Sequence, residues 1–388
     1  MASGAFLPYG RQDIDADDIA AVVEALRSDF LTTGPGVEAF EQAFAEAVDA
    51  PFAVACANGT AALHLSMLAL GVGPGDRVAV PSVTFLATAN CARFVGAEVL
   101  FTDVDPETGL MTPETLARAL EREPGPLRAV LPVHLRGDAA DLAALSRIAG
   151  DAGAALVEDA PHALGSEADF GAGSEKIGSG RWSSAATFSF HPVKTIATGE
   201  GGMVTTRDEA LAQRLRRLRS HGMVRRPGAD PWLYEMREPG FNYRLPDILC
   251  ALGQSQLKRL PAFAARRREL AGRYARALAP LAPHVRLAST PDWSRPVLHL
   301  LTVLIDFQGL GRSRRQVVEA MAADGIGTQV HYIPVHAQPY YVGRYGPQDL
   351  PGAEAWYRRC LSLPLFPAMA DADVDRTVAA LSRALGLD

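Results

Sequence analysis

Lys194 lies in the stretch of sequence that carries the most chemical information, TFSFHPVKTIATGEGGM at 187–203. A β-forming run ends there at Ser189, and Lys194 follows in a loop that precedes a glycine-rich segment. Most loop lysines are solvated surface charges. The apolar neighbours Phe190, Val193 and Ile196 instead favour burial of this amine. Because a desolvated amine loses its proton more readily, it can attack a carbonyl compound and form a Schiff base. Lys194 is therefore the first candidate catalytic residue.

Two further segments carry groups that suit a flat, charged ring. LVEDAPHALG at 156–165 ends an apolar run with two carboxylates. Asp159 could pair with the protonated ring nitrogen of a pyridoxal cofactor and so let the ring act as an electron sink; a helix N-cap is its alternative role. His162 could contact the phenolic oxygen of the ring, or could be a core histidine bonded to backbone. In PSVTFLATAN at 81–90, Phe85 could stack on the ring or serve only as core.

The segment NGTAAL at 58–63 follows the first β-rich run and opens a helical pattern. The unpaired N–H groups and the positive dipole end of a helix start favour an anion such as a phosphate. The residues placed to bind it are Gly59, Thr60 and Ala61, with the hydroxyl of Ser189 as a further donor. A plain Asn or Thr cap without a ligand is the alternative.

The apolar periodicity divides the chain into helices and strands. Apolar residues three and four apart predict helices over 14–29 and 37–48. Short β-rich runs then alternate with helical patterns, at 52–56, 77–81, 99–104, 129–133, 154–158, 185–190 and 202–205. This alternation predicts a mostly parallel sheet with crossover helices and a ligand at the carboxyl ends of its strands. A smaller α+β unit is predicted from a long helix at 246–278, strands at 297–306 and 328–332, and helices at 313–323 and 371–385.

Length and composition bound the class of protein. Because 388 residues exceed the usual size of one core, we predict a large domain over 1–250, which includes the N-terminal helices, and a small domain over 251–388. The formal net charge of -6 disfavours nucleic acid as a partner. The four cysteines show neither metal nor disulfide spacing. No leader and no apolar stretch approaching about 18 residues is present, so we expect a cytoplasmic protein with free thiols, no metal and no membrane association.

Together these segments resemble the DegT-type sugar aminotransferases, which are fold-type-I pyridoxal phosphate enzymes, over nearly the whole chain. The likeness rests on VEDAPHALG, SFHPVKTIATGEGG and PSVTFLATAN, and on LTTGPGVEAFE at 31–41, NGTAALH at 58–64, GFNYRLPDI at 240–248 and GIGTQVHYIPVHAQPYY at 325–341. It implies an α/β fold in which a large domain with a mostly parallel mixed sheet, flanked by helices, precedes a smaller α+β C-terminal domain.

The resemblance also implies a set of cofactor contacts. Lys194 would attach pyridoxal 5'-phosphate covalently, Asp159 would hold the ring nitrogen, and His162 would lie near the ring oxygen. Phe85 would stack on the ring. The cofactor phosphate would be held by Gly59, Thr60, Ala61 and Ser189. Asn242 would reach into the site of the neighbouring subunit, which implies a homodimer with shared active sites.

The substrate contacts implied by the resemblance come from three parts of the chain. A nucleotide-linked keto sugar would be bound by the N-terminal aromatic Tyr9, by the loop after the first helix, and by a late segment. The loop residues are Phe30, Leu31 and Thr32, and the late residues are Gln329, Val330, His331 and Tyr332.

Within the family, HALGSE at 162–167, LRSHGM at 218–223 and QVHYIPV followed by QPYY resemble the transaminases of pseudaminic acid biosynthesis. The implied reaction moves an amino group from L-glutamate to C4 of a UDP-linked 4-keto-6-deoxy-N-acetyl hexosamine. Pro161 and Arg136 depart mildly from the family pattern, which leaves the sugar contacts open. The alternatives are a GDP-4-keto-6-deoxymannose 4-aminotransferase, as in perosamine synthesis, and a noncatalytic ligand-binding regulator. Related deoxygenating enzymes carry a histidine in place of the lysine at 194.

Overall fold

The computed structural model describes residues 5–225, 227–228 and 230–387. Within these residues the α-helices, in chain order, are α1 Ala16–Arg27, α2 Pro35–Ala47, α3 Gly59–Ala69, α4 Leu86–Phe94, α5 Pro113–Arg122, α6 Leu142–Asp151, α7 Glu209–Arg219, α8 Asp247–Lys258, α9 Leu260–Leu278, α10 Arg314–Ala323, α11 Pro339–Tyr345, α12 Pro351–Arg359 and α13 Asp371–Leu385.

The strands of the same described residues are mostly short. In chain order they are β1 Phe52–Cys56, β2 Arg77–Pro81, β3 Glu98–Thr102, β4 Ala129–Val130, β5 Ala155–Asp159, β6 Glu167–Asp169, β7 Ser174–Lys176, β8 Ala185–Ser189, β9 Gly202–Thr206, β10 Met223–Val224, β11 Glu235–Met236, β12 Val285–Leu287, β13 Ser294–Arg295, β14 Leu301–Ile305 and β15 Cys360–Leu363.

The central sheet has the strand order β1-β9-β8-β5-β4-β2-β3. β9 runs antiparallel to both of its neighbours, and the other pairs are parallel. Every strand of this sheet except β9 therefore points the same way, so the carboxyl ends of β1, β8, β5 and β2 meet at one edge. This is the mostly parallel mixed sheet that the sequence predicts, and its carboxyl edge is where ligands of such sheets bind.

Both faces of the central sheet are buried, as the apolar composition of its strands requires. Val54 and Cys56 of β1 pack into one core, which also contains Trp356. Ala53 and Ala55 of the same strand pack into the core on the other face. Since successive strand residues point to opposite faces, even this five-residue strand contributes to the cores on both sides of the sheet.

A second, smaller sheet in the order β12-β14-β15 is antiparallel and has its own apolar core. That core takes residues from α9, α10 and α13, among them Leu270, Met321 and Leu381. The predicted domain boundary after residue 250 falls within α8, which packs on α1 and α2. The boundary stays a prediction.

The predicted single helix over 246–278 is wrong. The chain forms α8 and α9 with a break at Arg259, because Pro261 in the first turn of α9 has no N–H to donate to the preceding turn. Arg259 at the break is bound by the carboxylates of Asp13, Asp15 and Asp18 near the start of α1.

The predicted strand at 328–332 is also wrong, since only Gln329 pairs, in an isolated bridge with Ser362 of β15. Beyond that bridge the chain leaves the sheet edge, which frees the following side chains to line a cavity. The four cysteines are buried and free. In the part of the chain that the structure describes, no helix is both long and apolar enough to cross a membrane.

Candidate active site

A cavity of about 960 Å³ opens at the carboxyl edge of the central sheet. The loops after β1, β2, β5 and β8 form one side, and the smaller α+β unit supplies the other with His299 and residues 329–332. Of the residues predicted from the sequence, the cavity brings together Tyr9, Gly59, Thr60, Ala61, Phe85, Asp159, His162, Ser189, Lys194, Gln329, Val330, His331 and Tyr332. Residues more than 300 positions apart in the chain thus share one wall.

Lys194 lies in the loop that leaves β8, where its backbone N–H donates to the carbonyl of His191 at 2.8 Å. Of its predicted apolar neighbours, Phe190 and Ile196 are buried in the core. Burial lowers the pKa of the Lys194 amine to about 8, and the negative charge of Asp159 offsets part of that shift. A larger fraction of the amine is therefore unprotonated and nucleophilic near neutral pH, as predicted from its apolar neighbours.

Asp159 ends β5 and is 4% exposed. Burial raises the pKa of its carboxyl to about 6, although the hydroxyl of Thr88 and the charges of Lys194 and His134 act in the opposite direction. Thr88 Oγ1 donates to Asp159 Oδ2 at 2.5 Å. Because that bond uses the only hydroxyl proton of Thr88, the 2.7 Å contact between Thr84 and Thr88 is a donation by Thr84. This chain of donors fixes Oδ2 and leaves Oδ1 for a second donor.

The start of α3 and the end of β8 approach each other closely. A Cβ on Gly59 would lie 2.8 Å from the Cβ of Ser189, and a Cβ on Gly202 would lie 2.4 Å from the carbonyl oxygen of Asn58, so both positions require glycine. The side chain of Asn58 caps the helix by accepting from the Ala61 N–H at 2.8 Å. The Ala61 amide, which was predicted to bind the phosphate, therefore already has a hydrogen-bond partner within the chain. The first-turn amides of Gly59 and Thr60 remain for an anion.

One wall of the cavity is built from aromatic rings, with His162 from the loop after β5 and His299, His331 and Tyr332 from the smaller unit. His162 Nδ1 accepts from the backbone N–H of Arg136 at 3.3 Å, and its Nε2 lies 3.4 Å from the hydroxyl of Tyr332. The ring of His299 packs on His162 with centroids 4.6 Å apart, and His331 Nδ1 lies 2.9 Å from the hydroxyl of Ser362. Burial lowers the pKa of all three imidazoles, and the charge of Lys194 lowers it further. The wall is therefore neutral.

Four predicted site residues lie outside this cavity. Phe30, Leu31 and Thr32 are exposed on the surface after α1. Within this chain they lie away from Tyr9 and the cavity, because Asp247 holds the adjoining turn against α8 by accepting from the N–H groups of Gly34 and Gly36. Their role in binding the substrate stays a prediction. Asn242 is exposed too, and its backbone forms an isolated bridge with Ser220.

Three features of the site were not predicted from the sequence. Thr88 donates a hydrogen bond to Asp159, although it lies within the segment PSVTFLATAN at 81–90. His299 lies in a segment predicted only as a strand. The third feature was visible in the sequence: the chain contains three lysines, at 176, 194 and 258. Lys258 is exposed and Lys176 pairs with Asp49 on the surface, so Lys194 alone is placed for covalent chemistry.

The sequence profile of the DegT/DnrJ/EryC1/StrS aminotransferase family matches residues 12–382. The chain belongs to this family. It is therefore an enzyme, a sugar aminotransferase, and the predicted fold-type-I architecture is confirmed by its likeness to solved structures of this class.

Three relatives illustrate the likeness. The spore coat polysaccharide biosynthesis protein SpsC of Bacillus subtilis (strain 168) is 40% identical over 384 residues, which covers 97% of this chain and 96% of SpsC. Helicobacter pylori PseC, an aminotransferase involved in the biosynthesis of pseudoaminic acid, is 27% identical with a TM-score of 0.89, over 98% of this chain and 99% of PseC. The PMP-form of Spr1654 from Streptococcus pneumoniae is 26% identical with a TM-score of 0.90, over 98% and 99% of the two chains.

The predicted cofactor, pyridoxal phosphate, is confirmed by this family membership and by the forms in which its members were solved. The residues present fit that group. A single buried amine faces the cavity beside a buried carboxylate with one oxygen to spare, and a cradle that needs glycine at 59 offers two amides to a phosphate.

Proposed function

We propose that this enzyme transfers the amino group of L-glutamate, through pyridoxal phosphate, to C4 of a UDP-linked 4-keto-6-deoxy-N-acetyl hexosamine. One observation carries the proposal: the amine of Lys194, with its lowered pKa, and the buried carboxylate of Asp159 open into one cavity of about 960 Å³. That volume is at the upper end for small-molecule sites and suits a cofactor together with part of a nucleotide sugar.

Each polar residue at the sheet edge has a defined task in such a reaction. Bound pyridoxal phosphate supplies an aldehyde that carries the amino group and a ring that takes up the electron pair of the reacting carbon. Lys194 Nζ would hold the cofactor covalently, and its amine would move the proton to and from the reacting carbon. Because its pKa is near 8, the amine can both accept and return that proton at neutral pH.

Asp159 Oδ1 would hold the proton of the ring nitrogen, with Oδ2 anchored by Thr88. The amides of Gly59 and Thr60 and the hydroxyl of Ser189 would orient the phosphate. Phe85, exposed in the cavity wall, would cover one face of the ring. The imidazoles of His162, His299 and His331 are neutral, so they add no positive charge that would oppose protonation of the ring nitrogen.

Two observations support the identity of the sugar. Three segments of this chain resemble transaminases of pseudaminic acid biosynthesis, and the overall fold matches PseC. The identity to SpsC, a spore coat polysaccharide biosynthesis protein, is higher and does not point to pseudaminic acid, so the GDP-4-keto-6-deoxymannose alternative enters the same test. Lys194 itself argues against the deoxygenating chemistry of relatives that carry a histidine there.

We also propose that the working unit is a homodimer whose subunits share active sites. Asn242, Phe30, Leu31 and Thr32 lie outside the cavity of their own chain, and two of them are large exposed apolar side chains. A second subunit seated on this surface would bury Phe30 and Leu31 and bring the four residues toward its own cavity.

The test uses two half-reactions. Purified enzyme with cofactor should show a visible absorption band that L-glutamate shifts, and a UDP-linked 4-keto-6-deoxy-N-acetyl hexosamine should then restore the band as the amino sugar forms. The GDP-linked 4-keto-6-deoxymannose and the UDP-free sugar run in parallel. Faster restoration by the GDP sugar, or equal turnover of the free sugar, would contradict the proposed substrate, and protein that never takes up the cofactor would favour the binding regulator.

A further inference from the structure

His299 is the one imidazole of the cavity wall whose Nδ1 is buried without a hydrogen-bond partner in the described chain. The other three buried histidines that line the cavity, His64, His162 and His331, each have a partner for Nδ1. Burial of a polar group without a partner is costly, so an unpaired nitrogen at the edge of a cavity needs a structural or functional reason.

The position of the proton on His299 follows from its surroundings. A neutral imidazole carries one N–H, and an N–H without an acceptor is costly to bury. Since Nδ1 has no acceptor and is enclosed, the proton belongs on Nε2. The ring lines the cavity, and Nδ1 is on its enclosed edge, so the edge that carries Nε2–H is the one that can face a ligand.

The backbone of His299 is clamped on both sides. Its N–H donates to the carbonyl of Arg136 at 2.7 Å, and its own carbonyl accepts from Arg267 Nη1 at 3.3 Å. Arg136 is buried, has a positive φ of 66°, and is itself held by Asp138 and by the carbonyls of Ala288 and Ser289. Arg267 is also buried, and its guanidinium donates to three backbone carbonyls. The backbone of His299 is thus fixed before a ligand binds, and the packing of its ring on His162 restricts the side chain.

The charge of the cavity selects the group that His299 can bind. Among the described residues that line the cavity, Lys194 is the only lysine and there is no arginine. Beside Lys194 the wall consists of neutral rings, which suit an uncharged oxygen better than the carboxylates of glutamate. His299 packs on His162, in the same wall as Tyr332 and His331, where the sugar is expected.

We propose that His299 Nε2–H donates a hydrogen bond to an oxygen of the acceptor sugar, and that this residue sets affinity for the sugar without serving the amino donor. The inference rests on the proposed function and deepens it by naming a residue that binds the acceptor sugar. The side chain of Arg136, the mild departure from the family pattern, anchors the turn whose backbone carbonyl accepts from His299, through its bonds to Asp138, Ala288 and Ser289.

The experiment compares His299→Phe with His299→Gln in the cofactor-loaded enzyme. Phenylalanine fills the ring volume without a donor, whereas glutamine keeps a donor at about the reach of Nε2. For the Phe variant, kcat/KM for the UDP-linked 4-keto-6-deoxy-N-acetyl hexosamine should fall about 10- to 100-fold, mainly through KM, because a sugar oxygen loses its partner in a water-poor site. The glutamate half-reaction, the cofactor absorption band and the melting temperature should stay near the wild-type values. The Gln variant should recover most of the loss.

Three results would overturn the inference: an unchanged sugar half-reaction in the Phe variant, an equal loss in both half-reactions, or equal losses in the Phe and Gln variants. Failure of the proposed function is visible separately. In that case the wild-type enzyme itself would not respond to glutamate or would not aminate the sugar.

Discussion

The two sides of the cavity differ in what builds them and in what they can bind. The sheet side consists of the ends of β1, β5 and β8 and the segments that follow them, and it carries a lysine, a carboxylate and free helix amides. The other side, called the loop side below, consists of loops from the smaller unit that carry the neutral rings of His299, His331 and Tyr332. This difference indicates a division of labour, in which the sheet side performs chemistry common to any amino acceptor and the loop side selects the acceptor. Substitutions on the sheet side should therefore damage both half-reactions, and those on the loop side only one.

The largest expected effect is that of Lys194→Ala. Removal of the amine takes away both the covalent attachment and the proton carrier, so both half-reactions should fall by at least about 10⁴-fold. Rapid-scanning absorbance with L-glutamate measures the first half-reaction, and product analysis measures the second. Lys176→Ala, on the surface, is the matched control and should behave as wild type. An unimpaired Lys194→Ala enzyme would remove the proposed mechanism.

Asp159→Asn should cost about 10²- to 10³-fold in both half-reactions. Asparagine has the same shape, but it carries no charge to hold a proton on the ring nitrogen, so the electron pair of the reacting carbon is less well accommodated. Single-turnover rates with glutamate and with the keto sugar measure the two losses. A loss confined to the sugar half-reaction would contradict the assignment of Asp159 to the sheet side.

Asn242→Ala should lower affinity for the cofactor about tenfold if the residue serves the neighbouring subunit. The sharper test mixes two defective subunits, Lys194→Ala and Asn242→Ala, after co-refolding or co-expression. In a dimer with shared sites about a quarter of all sites regain both groups, so at a cofactor concentration that leaves Asn242→Ala mostly unloaded the mixture should be more active than either variant alone. Activity no greater than the sum of the separate variants would show that Asn242 does not act across an interface.

The smallest effect concerns the support of Asp159. The Thr88 bond lowers the pKa of this carboxyl, which is about 6, so Thr88→Val should raise it. Because Asp159 acts in its ionised form, activity is lost as pH falls through this pKa, and a higher pKa moves the loss to higher pH. We expect a few-fold lower rate near pH 6 and near wild-type rates at pH 8 in a pH profile of the glutamate half-reaction. Thr84→Val, one bond further away, should shift the profile less, and an unshifted acid limb in Thr88→Val would show that the bond does not tune Asp159.

The sheet side was largely predictable from the sequence, because its chemistry follows strand ends. Two predicted strands, at 52–56 and 77–81, have the bounds seen in the structure, and Asp159, Ser189 and the start of α3 follow from strand and helix patterns. The loop side was less predictable. His299 reaches the cavity only through the packing of the smaller unit against the sheet, and no local pattern encodes that contact. The position of Phe30 to Thr32 depends on Asp247, which is over 200 residues away in the sequence.

The central claim is tested most directly by borohydride reduction of the cofactor-loaded enzyme followed by peptide mapping. The chain has only three lysines, so the map has three possible outcomes for a labelled lysine. We predict that the reduced cofactor is found on the peptide that contains Lys194. A label on Lys176 or Lys258, or no labelled lysine in protein that holds the cofactor, would contradict the account.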